Sequence, residues 1–334
     1  MAIKIGINGL GRIGRMVIRS IVESKNKKIE IKHINNKANS ETSALLLKHD
    51  SIHGKFNANI NYDEKNLIIN KQKISVSQET ELSKINWKKY GVDIVLECTG
   101  KYNSKEKSIQ HIKNGAKKVI VSAPCKNADK TIVYGVNHKS INKNDIIISA
   151  ASCTTNCLVP VAFIINKEFK IEKGFMTTIH SYTTDQRLLD NSHKDPRRAR
   201  SAGQSIVPTS TGASKTLEEI IPELKGKIEG LAIRVPTPNV SLVDLVFNSQ
   251  NKLSVKKIND SFIKASNKEL KNILDTTNEK LVSVDFNHNS NSAIVELSLT
   301  NVVGNNMGKV SAWYDNEWGF ASRVNDLVEY IHKI

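Results

Sequence analysis

The run Ala-Ser-Cys-Thr-Thr-Asn-Cys-Leu-Val-Pro, residues 151–160, concentrates groups that can do chemistry. The apolar stretch NDIIISA before it reads as a strand, and CLVPVAFIINKEF after it reads as a helix. Cys153 therefore falls where a strand gives way to a helix. A helix N-terminus and a nearby imidazole each favour the thiolate, lowering a thiol pKa of about 8.5 by one or more units. Nine histidines are available as the partner. His180 closes the strand-like GFMTTIH and adjoins the polar Ser181, Thr183 and Thr184. On residue type alone, Cys153 is either a nucleophile or a small buried apolar side chain. Cys157, one helical turn further on, reads as buried.

A second constellation is Gly9-Leu-Gly11-Arg-Ile-Gly14, between the Ile-rich strand AIKIGING and the helical run LGRIGRMVIRSIVESK. In that context the G-x-G-x-x-G spacing reads as a dinucleotide site. The glycines permit a tight turn and close approach of backbone to a pyrophosphate, which rests on the helix N-terminus. The second strand, IEIKHINN, should then end in an acidic residue for the adenosine ribose. It ends in Asn35-Asn36, followed by Lys37. An acidic side chain there repels a 2′-phosphate, whereas Asn beside Lys tolerates one. The expected cofactor is NADP or NAD, with NADP use signalled by Asn36.

These groups need a scaffold. Up to about residue 150, strand-like and helix-like runs alternate, as in a parallel sheet wrapped by helices. Within that part NLIINKQKISVSQ resembles a hairpin, and VDIVLECTG, KVIVS, TIVYGVN and DIIISAA read as strands. Beyond Cys153 come a helix, the strand GFMTTIHSYT and a long polar segment, 181–208. The alternating runs IEGLAIRVPTPNVSLVDLVFNS, KLVSVDF, SAIVELSLTNVVG and MGKVSAWYD follow, and SRVNDLVEYIHKI closes the chain as an amphipathic helix. The fold class expected is α/β. A Rossmann-type dinucleotide-binding domain, 1–152, precedes an α+β catalytic domain, 153–317, with a large antiparallel sheet.

Bulk properties exclude several classes. Of 334 residues, 39% are apolar and 25% charged, as in ordinary soluble proteins. No apolar run approaches the roughly 18–20 residues that span a bilayer, so no membrane role is expected. The N-terminal MAIKIGINGLGRIGR carries no apolar signal core, and the expected location is cytoplasmic. Four cysteines make neither a disulfide framework nor, at their spacing, a zinc site; no metal is expected. The net charge of +16 is spread along the chain without a long basic run, so nucleic-acid binding is expected to be weak and non-specific at most.

Taken in order, INGLGRIGR, SAP, SCTTNCL, HSYTTDQ, RRAR, PTSTGA, RVPTPNVSLVDL and WYDNEWG resemble the phosphorylating glyceraldehyde-3-phosphate dehydrogenase family, NADP-tolerant type, over essentially the whole chain. The resemblance implies that Cys153 attacks the aldehyde and that His180 activates it and moves protons. It places Thr183 and Arg234 at the substrate's C3 phosphate, and Ser152, Thr154, Thr211, Gly212 and Arg198 at the attacking inorganic phosphate. It has Arg12, Ile13, Thr99 and Ser122 line the dinucleotide, with Thr80 near the adenine and Asn316 orienting the nicotinamide carboxamide. It has the C-terminal helix 318–334 complete the first domain. It also implies a homotetramer, with segment 181–208 near a neighbouring subunit's cofactor. Asn36 replaces an Asp of NAD-preferring members, Asn191-Ser192 a common Leu-Pro, Thr80 an Arg and Phe320 a Tyr; Asn36 and Ser192 point toward NADP. The implied reaction converts glyceraldehyde 3-phosphate, phosphate and NAD(P)⁺ to 1,3-bisphosphoglycerate, reversibly, in glycolysis or gluconeogenesis. Erythrose-4-phosphate dehydrogenase is the enzyme alternative, against which PTSTGAS weighs. Secondary nucleic-acid binding is the alternative of another class.

Overall fold

The computed structural model describes residues 2–334. The chain forms two compact units: one runs to Ser152 and takes back Ala321–Ile334, and the other is Cys153–Phe320. The division falls inside the last helix, Trp318–Ile331.

The first unit is built on a nine-stranded sheet. Six strands to one side of its hairpin edge, ordered Lys130–Thr131, Ile147–Ser149, Lys118–Val121, Ile94–Glu97, Ile3–Asn8 and Ile29–Asn35, run parallel, as does Gln72–Ser77 beside them. Asn66–Ile69 and Ile60–Asp63 then add antiparallel. Central strands of a parallel sheet are covered on both faces and read as continuous apolar runs. Accordingly Ile5, Ile7, Val95 and Leu96 are all fully buried. Helix Arg12–Glu23 buries Met16, Val17, Ile18 and Ile21. Helices Ser40–Lys48 and Lys105–Lys113 start at Asn39 and Ser104, whose side chains accept from backbone N–H groups of the first turn. Within this unit His33 is wholly buried, stacked on Tyr90 with ring centroids 3.7 Å apart. Its two ring nitrogens each lie 2.8 Å from a hydroxyl, Ser75 and Ser77.

One expected strand is mostly absent. TIVYGVN contributes only Thr131, within Lys130–Thr131. The reason is Asn137, whose side chain accepts from Val133 N–H at 2.8 Å and donates to Thr131 C=O at 2.9 Å. Backbone groups that a ladder would use are satisfied locally instead.

The second unit carries an eight-stranded sheet that is mixed rather than wholly antiparallel. Its order is Val207–Ser210, Ile228–Val235, Ile171–Ser181, Ser241–Ser249, Met307–Tyr314, Ala293–Glu296 and Leu274–Thr277, with Asn301–Val303 also on Met307–Tyr314. Ile171–Ser181 runs parallel to Ile228–Val235, and Leu274–Thr277 parallel to Ala293–Glu296; the other pairs are antiparallel. The first parallel pair is possible because its connection is long and includes helix Ala213–Ile220. KLVSVDF, expected as a strand, holds instead a short 3₁₀ turn, Ser283–Phe286. Asp285 closes it by accepting from Val282 N–H at 2.8 Å. Helix Cys153–Phe169, buried along most of its length, packs on this sheet. No helix among the described residues is long and apolar enough to cross a membrane.

Candidate active site

The turn into helix Cys153–Phe169 passes through Ala151, a non-glycine residue at φ +59°. Such a conformation is uncommon for a residue with a side chain. Ala151 N–H donates to Ser149 Oγ at 3.1 Å, which helps hold it. Cys153 follows as the first helical residue, with its sulfur 3.5 Å from His180 Nε2. His180 is 3% exposed, and its Nδ1 lies 2.7 Å from the Ser181 carbonyl oxygen. In the tautomer whose Nδ1 carries the proton, Nδ1 donates to that carbonyl. Nε2 is then an acceptor facing the thiol, the arrangement of a general base and its nucleophile.

Sheet register supplies the third group. His180 is paired with Arg234 on the adjacent parallel strand. Arg234 Nη1 donates to the Ser181 carbonyl at 3.0 Å and lies 2.9 Å from His180 Nδ1. Its Nε is buried with no hydrogen-bond partner. A half-buried guanidinium with an unused donor suits an anion.

Burial, with Arg234 beside it, holds the His180 pKa down to about 3. The imidazole is therefore neutral at ordinary pH. Burial also pushes the Cys153 thiol up, against Arg234 and the backbone N–H groups of Cys153 and Thr154, which favour the thiolate. Desolvation thus opposes the help expected from the helix end and the imidazole, and Arg234 and the backbone N–H groups are what favour the thiolate. The other cysteines have burial without those helpers. Burial pushes Cys98 up to about 12, Cys125 to about 11 and Cys157 well above its ordinary value. Cys157 is fully buried, its sulfur 3.7 Å from Ala312 O.

Beneath the pair sits Tyr314, fully buried, its hydroxyl 2.8 Å from both Thr154 Oγ1 and Thr178 Oγ1. Thr154 is 4% exposed and its hydroxyl is committed to Tyr314. Its backbone N–H lies beside the Cys153 sulfur. Asn316 Oδ1 accepts from Ser181 Oγ and Ser241 Oγ, each at 2.9 Å, which leaves its amide NH₂ as the remaining donor group. Tyr314, Thr178, Ser181 and Ser241 were not identified from sequence. Their signal was present in GFMTTIHS, where Met176, Thr178 and His180 share the buried face of one strand. Polar residues in place of apolar ones on a core-facing register mark a site.

Arg198 donates to Asp185 at 2.6 Å, to Thr209 Oγ1 at 3.0 Å and to Ser210 C=O at 3.3 Å. It is thus fixed beside the strand leading into Thr211 and Gly212. Gly212 caps helix Ala213–Ile220 without a side-chain acceptor. Thr183 closes a turn with Gln186, and Ser152 is half-buried immediately before the helix. Ser192 is exposed and bonds its neighbour Asn191.

The first unit holds a cavity at the ends of its central strands. Gly9, Gly11, Asn36, Thr80 and Thr99 line it, together with Lys37, Glu79 and Lys101. Arg12, Ile13, Gly14 and Ser122 are not among its lining residues. Arg12 is ion-paired with Asp50, and Ser122 Oγ donates to Glu97 C=O at 3.0 Å. Gly14 acts in packing, since a Cβ there would lie 2.2 Å from Gly9 O. Gly9 has φ +96°. Helix Arg12–Glu23 begins at Gly11 with no side-chain cap and no acidic residue in its first turn. That donor set fits a pyrophosphate. Asn36 Oδ1 accepts from Leu10 N–H at 3.3 Å and its Nδ2 donates to Ser43 Oγ at 3.1 Å, tying the second strand to the glycine turn. Among the described residues no three His, Cys, Asp or Glu cluster as metal ligands.

Comparison with known proteins matches both halves. Residues 3–105 match the glyceraldehyde 3-phosphate dehydrogenase NAD binding domain, and 152–316 match the C-terminal domain of the same family. The chain is 47% identical over 332 residues to glyceraldehyde-3-phosphate dehydrogenase 2 of Bacillus subtilis, covering 99% of this chain and 97% of that one. It is 47% identical over 334 residues to a glyceraldehyde-3-phosphate dehydrogenase of Xanthobacter flavus, covering both chains in full. Against that of Geobacillus stearothermophilus it is 48% identical over 332 residues, 99% and 98% of the two chains.

Proposed function

Since the chain belongs to the glyceraldehyde-3-phosphate dehydrogenase family and oxidises that aldehyde, we propose that it does so through a thioester on Cys153 that inorganic phosphate cleaves. The observation that carries this is the Cys153 sulfur, 3.5 Å from an imidazole nitrogen left free to accept its proton. The sulfur bonds the aldehyde carbon as its proton passes through His180 Nε2 to the carbonyl oxygen, giving a hemithioacetal. The Cys153 backbone N–H stabilises charge on that oxygen. Nε2 then takes the hydroxyl proton; a nicotinamide cofactor, when bound, would supply the hydride acceptor. Phosphate oxygen attacks the thioester, the carbon–sulfur bond breaks, and 1,3-bisphosphoglycerate leaves the sulfur to recover a proton. Arg234, with its unused Nε, and Thr183 hold the substrate's C3 phosphate. Thr211, Gly212 and the fixed Arg198 receive the attacking phosphate, with Ser152 and the Thr154 N–H. Asn316 presents its NH₂ to the carboxamide.

The cofactor reading is NADP at least as good as NAD. Asn36 removes the repulsion an acidic residue would exert, and Lys37 follows it into the cavity wall. The same reading makes the protein a cytoplasmic homotetramer, with Ser192 reaching a neighbour's cofactor. Leu188, Leu189 and Ile206, 82%, 72% and 69% exposed, give segment 181–208 apolar surface to bury there.

Steady-state kinetics with both cofactors, with and without phosphate, test the proposal. Turnover should require phosphate, and NADP should match or exceed NAD in kcat/KM. Phosphate-independent turnover that releases the free acid would overturn the thioester phosphorolysis. Asn36→Asp should lower kcat/KM for NADP by about tenfold or more by restoring a like charge; no change for either cofactor would remove the charge argument.

A further inference from the structure

Two lysines meet at one edge of the dinucleotide cavity. Lys37 follows the second strand, Ile29–Asn35, and Lys101 follows strand Ile94–Glu97; these strands flank Ile3–Asn8 on either side. Both side chains are exposed and line the cavity beside Asn36. Neither forms an ion pair among the described residues. The Lys37 ammonium keeps Lys101 below the ordinary lysine range. Like charges that converge without a counter-ion are destabilising, and an anion between them reverses the sign.

The positions are held by backbone anchors. Lys101 N–H donates to Thr99 Oγ1 at 3.1 Å, and Thr99 N–H donates to Glu97 at 2.8 Å. Glu97 is 1% exposed and also accepts from Asn8 at 2.6 Å and from His111 at 3.0 Å. The turn bearing Lys101 is thus anchored on a buried carboxylate that is itself bonded to the first strand. Lys37 C=O accepts from Gln78 Nε2 at 3.0 Å. Glu79 lines the same cavity but pairs with neither lysine, so the edge keeps a net positive charge.

We infer that Lys37 and Lys101 form a subsite for a phosphate monoester on the adenosine ribose, with Lys101 a specificity-determining residue that the nucleotide fingerprint does not include. The inference rests on the cofactor reading above and adds a second, separately placed cation to it. A 2′-phosphate brings nearly two negative charges, enough to bridge both ammonium groups.

Binding by the full-length protein, without turnover, tests it. 5′-AMP and 2′,5′-ADP differ only in the 2′-phosphate. Calorimetric titration at fixed ionic strength should show wild type binding 2′,5′-ADP more tightly. Lys101→Gln should lower the affinity ratio of 2′,5′-ADP to 5′-AMP by about tenfold, the low end for a charged hydrogen bond, and Lys101→Arg should keep most of it. Added inorganic phosphate should weaken 2′,5′-ADP much less than it would a site for the free ion, because the ribose delivers the group. If phosphate alone displaces it at matched concentration, the subsite is one for free anions and the inference is overturned. If Lys101→Gln keeps the ratio while Asn36→Asp removes it, the cofactor reading stands and Lys101 has no part. If wild type shows no preference at all, no such subsite exists, and the kinetics with both cofactors separately decide whether NADP is used.

Discussion

The two units solve recognition by different means. In the first, the cavity wall is made of strand ends and turns, and part of it is local in sequence: Gly9 and Gly11 within one turn, Asn36 and Lys37 at the next strand end. In the second, the reactive groups are remote. His180 is 27 residues from Cys153, Arg234 is 54 from His180, and Tyr314 is 160 from Thr154. Sheet pairing brings them together. A site written in local spacing tolerates changes that leave its backbone alone. A site written in register depends on side chains that nothing else can replace.

Side-chain replacement in the second unit should therefore have the largest effects. Cys153→Ser should abolish aldehyde oxidation, because a hydroxyl is far less acidic than a thiol and burial leaves His180 a weak base. Cys157→Ala should keep most activity; a dead Cys157 variant with an active Cys153 variant would reverse the assignment. His180→Asn should lower kcat by roughly 10²–10⁴-fold, the usual contribution of a positioned acid–base group. Loss confined to KM would instead make His180 a binding residue.

In the first unit the backbone is the vulnerable part. Gly14→Ala forces its new Cβ against Gly9 O and should destabilise the fold by about 1–3 kcal/mol. Gly11→Ala, with nothing within 4 Å of its Cβ, should leave the melting temperature nearly unchanged. Equal melting temperatures for the two variants would sink the comparison.

Another expected effect in the first unit is a dependence on pH. Burial holds His33 at a pKa of about 4, against 6.5 for an ordinary histidine. Between those values the unfolded chain binds a proton that the native protein does not. Stability is thus full above pH 6.5 and falls as pH drops toward 4, by about 3 kcal/mol from this residue. His33→Gln should flatten the fall in chemical-denaturation experiments across that window; an unchanged slope would show that His33 is not its source.

The same contrast explains what could be read from the chain. The glycine turn, its flanking strand and helix, and the parallel order around them were legible, because local periodicity and one motif specify them. Cys153 was legible as a candidate, yet its chemistry stayed open until the resemblance, since a partner 27 residues away leaves no local trace. Tyr314 was invisible for the same reason. Lys101 was missed because a lysine after a strand is ordinary until another lysine is placed across from it. KLVSVDF misled because one carboxylate, Asp285, captured the Val282 N–H that a ladder would have used. The parallel pairing of Ile171–Ser181 with Ile228–Val235 depends on a crossover, which alternation within either strand does not encode.

That parallel pairing also determines what kind of sequence change the second unit can absorb. His180 reaches the Cys153 sulfur from a register that sets it opposite Arg234, on a strand whose side chains alternate between faces. Lengthening a surface loop moves neither residue. Deleting a single residue between Ile171 and His180 inverts the alternation, sending the imidazole to the opposite face even if every functional side chain is still present. Divergence in such a site is therefore gated by insertions and deletions inside strands more strictly than by substitutions around them, and loops are where the chain is free to drift in length.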